Sequence, residues 1–280
     1  MQVILADKRG FCFGVTKAVC EAEKALETFG RGNVYALGPI IHNKQVCRKL
    51  EERGLKIVET LEEVPPGGVV LIRSHGVDPE VMEALRARGI QAVDATCRLV
   101  KRAQQVVRQL HEEGYQVVMI GDKDHPEVRG VVGYAPGVII VDSEQDVDRL
   151  LPAHGRLGIV AQTTHAPENV GRLIGYIAGK PFREIKIIGT LCNETTLRQR
   201  AAIDLCKQVD VMFVLGGLHS ANTRELAGLC RGEGVTTYHL ENWAQFATSM
   251  VAGRKIAGVT SGASTPEWVV QEFVEKLQAV

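Results

Sequence analysis

Residues Val3–Leu26, VILADKRGFCFGVTKAVCEAEKAL, run from an apolar stretch through Gly10 and an aromatic to Cys12, then into a helical pattern. The apolar run reads as a strand and the Ala/Glu/Lys-rich run after Cys12 as a helix. The same order of strand, cysteine and helix returns twice, in IQAVDATCRLVKRAQQVVRQL (Ile90–Leu110) around Cys97 and IKIIGTLCNETTLRQRAAIDLC (Ile185–Cys206) around Cys192. Three further segments share a Pro-Glu helix start after a polar strand end: RSHGVDPEVMEAL (Arg73–Leu85), QTTHAPENVGRLI (Gln162–Ile174) and TSGASTPEWVVQEF (Thr260–Phe273). Between them lie strand, polar loop and helix: YALGPIIHNKQVCRKL (Tyr35–Leu50), VMIGDKDHPEVRGVV (Val118–Val132) and FVLGGLHSANTREL (Phe213–Leu226). VETLEEV, VDSEQDV and HLENWAQF follow each of these middle units. One module of about 90 residues is thus used three times.

Strand runs alternating with helical patterns from end to end imply an α/β fold with mainly parallel sheets. Runs that read as strands include MQVILA, NVYALG, VVLIRS, QAVDA, QVVMIG, RLGIVAQ, IKIIGT, VMFVLGG and KIAGVTS. The expected division is a first α/β module over 13–96 and a second over 97–191. A third covers 192–265 and is joined by the N-terminal strand 1–12, and a C-terminal helix covers 266–280. Three such modules around a pseudo-threefold axis bring Cys12, Cys97 and Cys192 together. Each cysteine sits at the C-terminal end of a strand, where α/β sheets place their ligands, and before a helix, whose N-terminus favours thiolate.

The 280 residues suffice for two or three small α/β units with a sizeable core. The formal net charge is zero, so nothing in the balance of charge calls for nucleic acid or an anionic membrane. No apolar run is long enough to span a bilayer, and Asp7, Lys8 and Arg9 arrive too early for a signal peptide. The expectation is a cytoplasmic protein. An odd count of seven cysteines in a reducing compartment argues against a disulfide framework. Cys20, Cys47, Cys206 and Cys230 fall at helical positions without threefold equivalents and read as ordinary packing.

Three converging thiolates without a fourth equivalent ligand point to a metal site with one open position. Zinc would want a further His or Cys. A [4Fe–4S] cluster on three thiolates keeps one iron free for substrate. The other strand ends carry His42, His75, His125, Glu127, Thr163, Thr164, Ser220, Asn222 and Ser264. Any one of these could be a mere turn or cap residue. Together they form a ring of neutral donors and imidazoles suited to a phosphate. Glu127 is the carboxylate among them, as a proton donor beside an anion would be. The pairs Pro79–Glu80, Pro167–Glu168 and Pro266–Glu267 read as helix starts. His165 and His219 lie in the site loops and fit either a site role or a surface role. His111, His154 and His239 read as surface or packing residues.

At these residues the chain resembles the 4-hydroxy-3-methylbut-2-enyl diphosphate reductases of the methylerythritol phosphate route to isoprenoids. The matching pieces are RGFCFGV, IIHN, SHGV, DATC, HPEVRG, QTT, the third cysteine followed by ETTLRQRA, SANT and SGAST. They run in family order over essentially the whole chain. The resemblance implies a trefoil of three α/β domains around a central iron–sulfur cluster, and a reductive dehydroxylation. Two electrons and two protons remove the allylic hydroxyl as water and yield isopentenyl and dimethylallyl diphosphate. The resemblance places the [4Fe–4S] ligands on Cys12, Cys97 and Cys192, with [3Fe–4S] as the form left when the open iron is lost. It places the diphosphate ligands on His42, His75, His125, Ser220, Asn222 and Ser264, with Ala221 among them in the same loop. The proton-delivering acid falls on Glu127 and the hydroxyl-orienting residue on Thr163. An electron donor such as ferredoxin or flavodoxin is implied, with no nucleic acid or membrane partner.

The chain departs from the family pattern at four places. Arg98 follows the second ligand cysteine where the family usually has proline, which puts a cation near the cluster and bears on its potential and on donor docking. Ala221 stands where many members have a second serine. Leu218 and His219 replace a common Lys-Asn pair, and Gly189 stands where asparagine is frequent. Two rival readings remain at this stage. One is a three-cysteine trefoil enzyme such as quinolinate synthase, acting on a carboxylate substrate. The other is a non-catalytic iron–sulfur sensor or scaffold, which would need neither the acid nor the polar ring.

Overall fold

The computed structural model describes residues 1–41, 43–149 and 155–280, and of Ala221 the backbone alone. Strand β1 (Gln2–Leu5) belongs to a sheet completed only at the far end of the chain. The next four, β2 (Val34–Leu37), β3 (Leu55–Val58), β4 (Val69–Ile72) and β5 (Gln91–Asp94), form a sheet in the order β3-β2-β4-β5. Strands β6 (Gln116–Ile120), β7 (Ile139–Val141), β8 (Arg156–Ala161) and β9 (Glu184–Ile187) form another in the order β7-β6-β8-β9. The last three, β10 (Val211–Leu215), β11 (Thr236–Leu240) and β12 (Ile256–Ser261), take β1 as their fourth strand, with Gln2 opposite Ile256. All three sheets therefore share one topology, in which the first and third strands are central and the second and fourth form the edges. Every ladder is parallel. Parallel neighbours cannot be joined by a hairpin, which is why crossover segments separate the strands.

The helices are α1 (Phe13–Phe29), α2 (Lys44–Glu52), α3 (Pro79–Ala87), α4 (Arg98–Glu112), α5 (Pro126–Val132), α6 (Glu144–Arg149), α7 (Pro167–Ala178), α8 (Asn193–Cys206), α9 (Ala221–Gly232) and α10 (Glu267–Gln278). Pro79 and Pro167 open their helices as the sequence predicts, whereas Pro266 sits one position earlier, as the N-cap of α10. No helix among the described residues is long and apolar enough to cross a membrane.

The chain divides into two compact units. One comprises Met1–Thr16, Ile41–Glu52 and Asn193–Val280 and holds the β1-β12-β10-β11 sheet; the other comprises Lys17–Ile40 and Arg53–Cys192 and holds the other two. In the first unit every residue of β10 is buried, as expected of a central strand covered on both faces. Its two faces feed different cores. Phe213 packs against Phe273 of α10 with ring centroids 5.2 Å apart, in a group that includes Trp243 and Phe246. Met212 and Val214 face Leu205, Cys206, Leu226 and Cys230. In the second unit β4 and β6 are likewise central and buried, while the edges β5 and β9 are exposed at both ends. The edge strands β3, β7 and β11 are not among the runs read as strands from sequence, whereas the edges β1, β5 and β9 are. Each of the three is short or carries polar residues, which weakens its apolar signal.

Candidate active site

In the β2–β5 and β6–β9 sheets the connections leave the first and third strands toward opposite edges, which opens a crevice beyond their C-terminal ends; in the third sheet β11 and β1 flank β10 and β12 in the same way. In the β6–β8 sheet this crevice holds the acid. His125 caps α5, its Nδ1 accepting the amide of Glu127 at 3.1 Å. With Nδ1 an acceptor, the neutral ring carries its proton on Nε2, as a donor suited to an anion. Glu127, one residue into the helix, is turned inward and is only 2 % exposed. Thr163, just beyond β8, donates its amide to Oε1 at 2.6 Å and its hydroxyl to Oε2 at 2.9 Å. Burial pushes the Glu127 carboxyl above its ordinary range, and the two Thr163 bonds oppose that shift without cancelling it.

His75 lies beyond β4 in the same unit. Its ring meets that of His125 edge-on, with centroids 5.5 Å apart. Backbone proximity sets this pairing: a Cβ on Gly130 of α5 would come within 3.2 Å of the His75 carbonyl oxygen. Gln104 of α4 ties the same place, donating Nε2 to the Gly130 carbonyl at 3.0 Å. Thus a glycine and a buried amide let α5 press against the loop that carries His75.

In the other unit the β10–β12 crevice carries the remaining predicted anion ligands. Ser220 caps α9, its Oγ accepting the Thr223 amide at 3.4 Å and the Thr223 hydroxyl at 3.0 Å. Ala221 and Asn222 open the helix, and Ser264 lies in the loop after β12, largely buried. A Cβ on Gly262 would sit 2.1 Å from Thr223 Oγ1, so α9 can approach the strand end only over a glycine. His42 lies outside the described residues, as does His154. His165 is held by Asp142 at 3.1 Å and by Asn169 at 2.8 Å, and His219 is exposed.

The three cysteines are held alike. The amide of Cys97 donates to the Ser74 carbonyl at 2.9 Å, that of Cys192 to the Thr163 carbonyl at 2.7 Å, and that of Cys12 to the Ala263 carbonyl at 3.0 Å. Each acceptor lies two residues past the end of a third strand, and each donor follows a fourth strand. The bond at Cys192 joins it through Thr163 to Glu127. All three cysteines are partly exposed, and each precedes a helix. Cys12 Sγ also accepts the Val15 amide at 3.5 Å. Among Cys20, Cys47, Cys206 and Cys230, the first is exposed and the others are buried. Among the described residues no three His, Cys, Asp or Glu side chains are arranged as ligands of one metal ion. A cluster differs from a single ion in spacing its thiolates by the width of its own core.

Sequence reasoning missed the residues that hold this frame. Arg198 of α8 is 2 % exposed and donates Nη1 to the Ser261 carbonyl and Nη2 to the Gly10 carbonyl, both at 2.9 Å. The Gly10 amide in turn donates to Ser261 Oγ at 2.8 Å. Arg198 therefore clamps the segment leading into Cys12. Thr265 and Gln104 do similar work, and nothing in local periodicity distinguishes any of them from surface polar residues.

A family model described as LytB protein matches residues 3–278. A 4-hydroxy-3-methylbut-2-enyl diphosphate reductase of Geobacter sp. (strain M21) is 44% identical over 281 residues, covering 100% of this chain and 98% of that protein. A solved structure of (E)-4-hydroxy-3-methyl-but-2-enyl diphosphate reductase, the terminal enzyme of the non-mevalonate pathway, matches at a TM-score of 0.80 and 41% identity, covering 100% of both chains. The structure of the E-1-hydroxy-2-methyl-but-2-enyl-4-diphosphate reductase from Plasmodium falciparum matches at a TM-score of 0.91 and 32% identity, over 99% of this chain and 88% of that one.

Proposed function

Because the chain belongs to the LytB protein family, we infer that it reduces (E)-4-hydroxy-3-methylbut-2-enyl diphosphate to isopentenyl and dimethylallyl diphosphate. Two electrons and two protons are consumed, the allylic C–O bond breaks, and the hydroxyl leaves as water. The chain is an oxidoreductase of isoprenoid synthesis whose family carries an iron–sulfur cluster. The donor set fits such a group: three partly exposed thiols, each before a helix and each anchored by the same backbone bond. Cys12, Cys97 and Cys192 would hold a [4Fe–4S] cluster with one iron lacking a protein ligand, or [3Fe–4S] once that iron is lost. When bound, the cluster supplies electrons singly and a Lewis-acidic iron for the hydroxyl. The electrons come from an external carrier such as ferredoxin or flavodoxin.

The residues supply binding and the proton. His42, His75, His125, Ser220, Asn222 and Ser264, with the backbone at Ala221, hold the diphosphate and thereby fix the carbon chain. Thr163 orients the substrate hydroxyl, and Glu127 delivers the proton with which it leaves. What most supports this reading is the Glu127–Thr163 pair. Thr163 donates its hydroxyl to the buried Glu127 carboxyl and keeps lone pairs on Oγ1 to accept from a substrate hydroxyl, so the acid and the orienting residue stand within one hydrogen bond of each other. Anaerobic purification should give a brown protein that turns over the allylic diphosphate when electrons are supplied and leaves a dicarboxylate untouched. Turnover of the dicarboxylate instead, or a colourless active protein, would overturn this.

Two further outcomes are expected. The raised pKa of Glu127 means that the donor form persists to higher pH than in an ordinary carboxyl and is lost as pH rises through the folded-state value. kcat/KM should therefore fall on an alkaline limb that vanishes in Glu127→Gln. A limb that survives the substitution belongs to another group. Removing one charge-assisted bond to the diphosphate should cost about 1.5–3 kcal/mol, or roughly ten- to a hundredfold in affinity. Inorganic diphosphate binding to His75→Ala and Asn222→Ala checks this, and unchanged affinity in both moves the phosphate site elsewhere.

A further inference from the structure

Helix α4 begins against its own dipole. A helix N-terminus favours acids in its first turn; α3, α5, α6, α7, α8 and α10 carry them, while α1, α2, α4 and α9 do not. Helix α4 carries none there and opens instead with Arg98, followed by Lys101 and Arg102. Arg98 and Arg102 are exposed. Arg102 Nη1 donates to the Gly189 carbonyl at 3.0 Å, and Lys17 Nζ donates to the Thr96 carbonyl at 2.9 Å. These bonds seat two cations on the backbone that leads into Cys192 and into Cys97. Lys101 pairs with Asp94 at 2.5 Å, whereas Lys17 and Arg102 place their bonds on uncharged backbone carbonyls and so keep their positive charge at this face. Ile187, two residues before Gly189, is 50% exposed and adds an apolar element.

We propose that Lys17, Arg98, Lys101 and Arg102, with Ile187, form the docking surface for an acidic electron-carrier protein. The inference rests on the reductase reading, in which both electrons come from outside and must arrive beside the thiolates of Cys97 and Cys192. Transient electron-transfer complexes have small interfaces, and complementary charge governs their encounter rate and orientation. A positive face at this place selects a negative partner.

The probe is an acidic two-iron ferredoxin, oxidised for binding and reduced for turnover. Binding to the wild-type holoenzyme should weaken as salt rises. Arg98→Glu should weaken it about tenfold and flatten the salt dependence, with Arg98→Gln intermediate at about threefold, as for charges at an interface rim. Cluster absorbance should be unchanged in both variants, as should turnover driven by a reduced viologen, which needs no protein interface. Wild-type ferredoxin binding in both variants overturns the proposal. So does a viologen-driven rate that falls in step with the ferredoxin-driven one, since Arg98 would then act on the cluster's potential. Charge-dependent ferredoxin binding in a wild-type protein that fails to reduce the allylic diphosphate with viologen sinks the reductase reading and leaves the docking surface standing.

Discussion

Cys192→Ser is expected to strip the iron–sulfur absorbance and bring turnover to background, and Cys12→Ser and Cys97→Ser to do the same. A serine hydroxyl preserves the size and the backbone bond to the Thr163 carbonyl, so loss would follow from the missing thiolate and not from a displaced loop. The controls separate ligand from packing. Cys20 is exposed and its replacement should be silent. Cys206 and Cys230 are 3% and 0% exposed in the core between α8, α9 and β10. A buried hydroxyl there costs about 1–3 kcal/mol of stability and should leave the absorbance intact once the protein is folded. Iron and sulfide analysis beside the spectrum decides the matter. Retention of the cluster in Cys192→Ser with its loss in Cys206→Ser would show that the three modules have been aligned wrongly.

Glu127→Gln is expected to keep the cluster and the substrate affinity while turnover falls by roughly 10² to 10⁴, the loss of a positioned general acid. The alternative is that Glu127 merely suits the start of α5, where loss of an exposed first-turn acid costs about 0.3–1 kcal/mol. Its burial argues against that role, because a carboxyl 2 % exposed has given up the hydration that an exposed first-turn acid keeps. Glutamine fits the same clamp: its carbonyl can accept the Thr163 amide and its amino group can face Thr163 Oγ1. Stability should move the other way from activity. A carboxyl whose folded-state pKa is raised contributes most below its unfolded pKa, and that contribution is lost as pH rises through the folded value. The variant should therefore gain on the wild type in thermal denaturation as the buffer is made more alkaline. Turnover within about threefold of wild type, on the same scale for general acids, would hand the proton to Thr163, a histidine or the diphosphate itself.

The repeat of strand, cysteine and helix is local information, carried by hydrophobic period and by a few residues on either side of each cysteine, and the chain alone determines it. It suffices for the α/β class, the parallel sheets, the equivalence of Cys12, Cys97 and Cys192, and the strand-end positions of His75, His125, Glu127 and Ser220. The edge strands β3, β7 and β11 are weaker in sequence because they are short or polar, so little apolar period marks them. Tertiary structure decided what depends on neighbours distant in the chain. It recruits β1 to β12 across the whole length of the protein. It buries Glu127 under Thr163, which raises a pKa that the motif HPE leaves open. It also commits Arg198 and Gln104 to backbone carbonyls beside the site. Polar side chains like these look the same in sequence whether they face water or a buried carbonyl. Only the closing of a strand end over them removes the water and makes one partner obligatory.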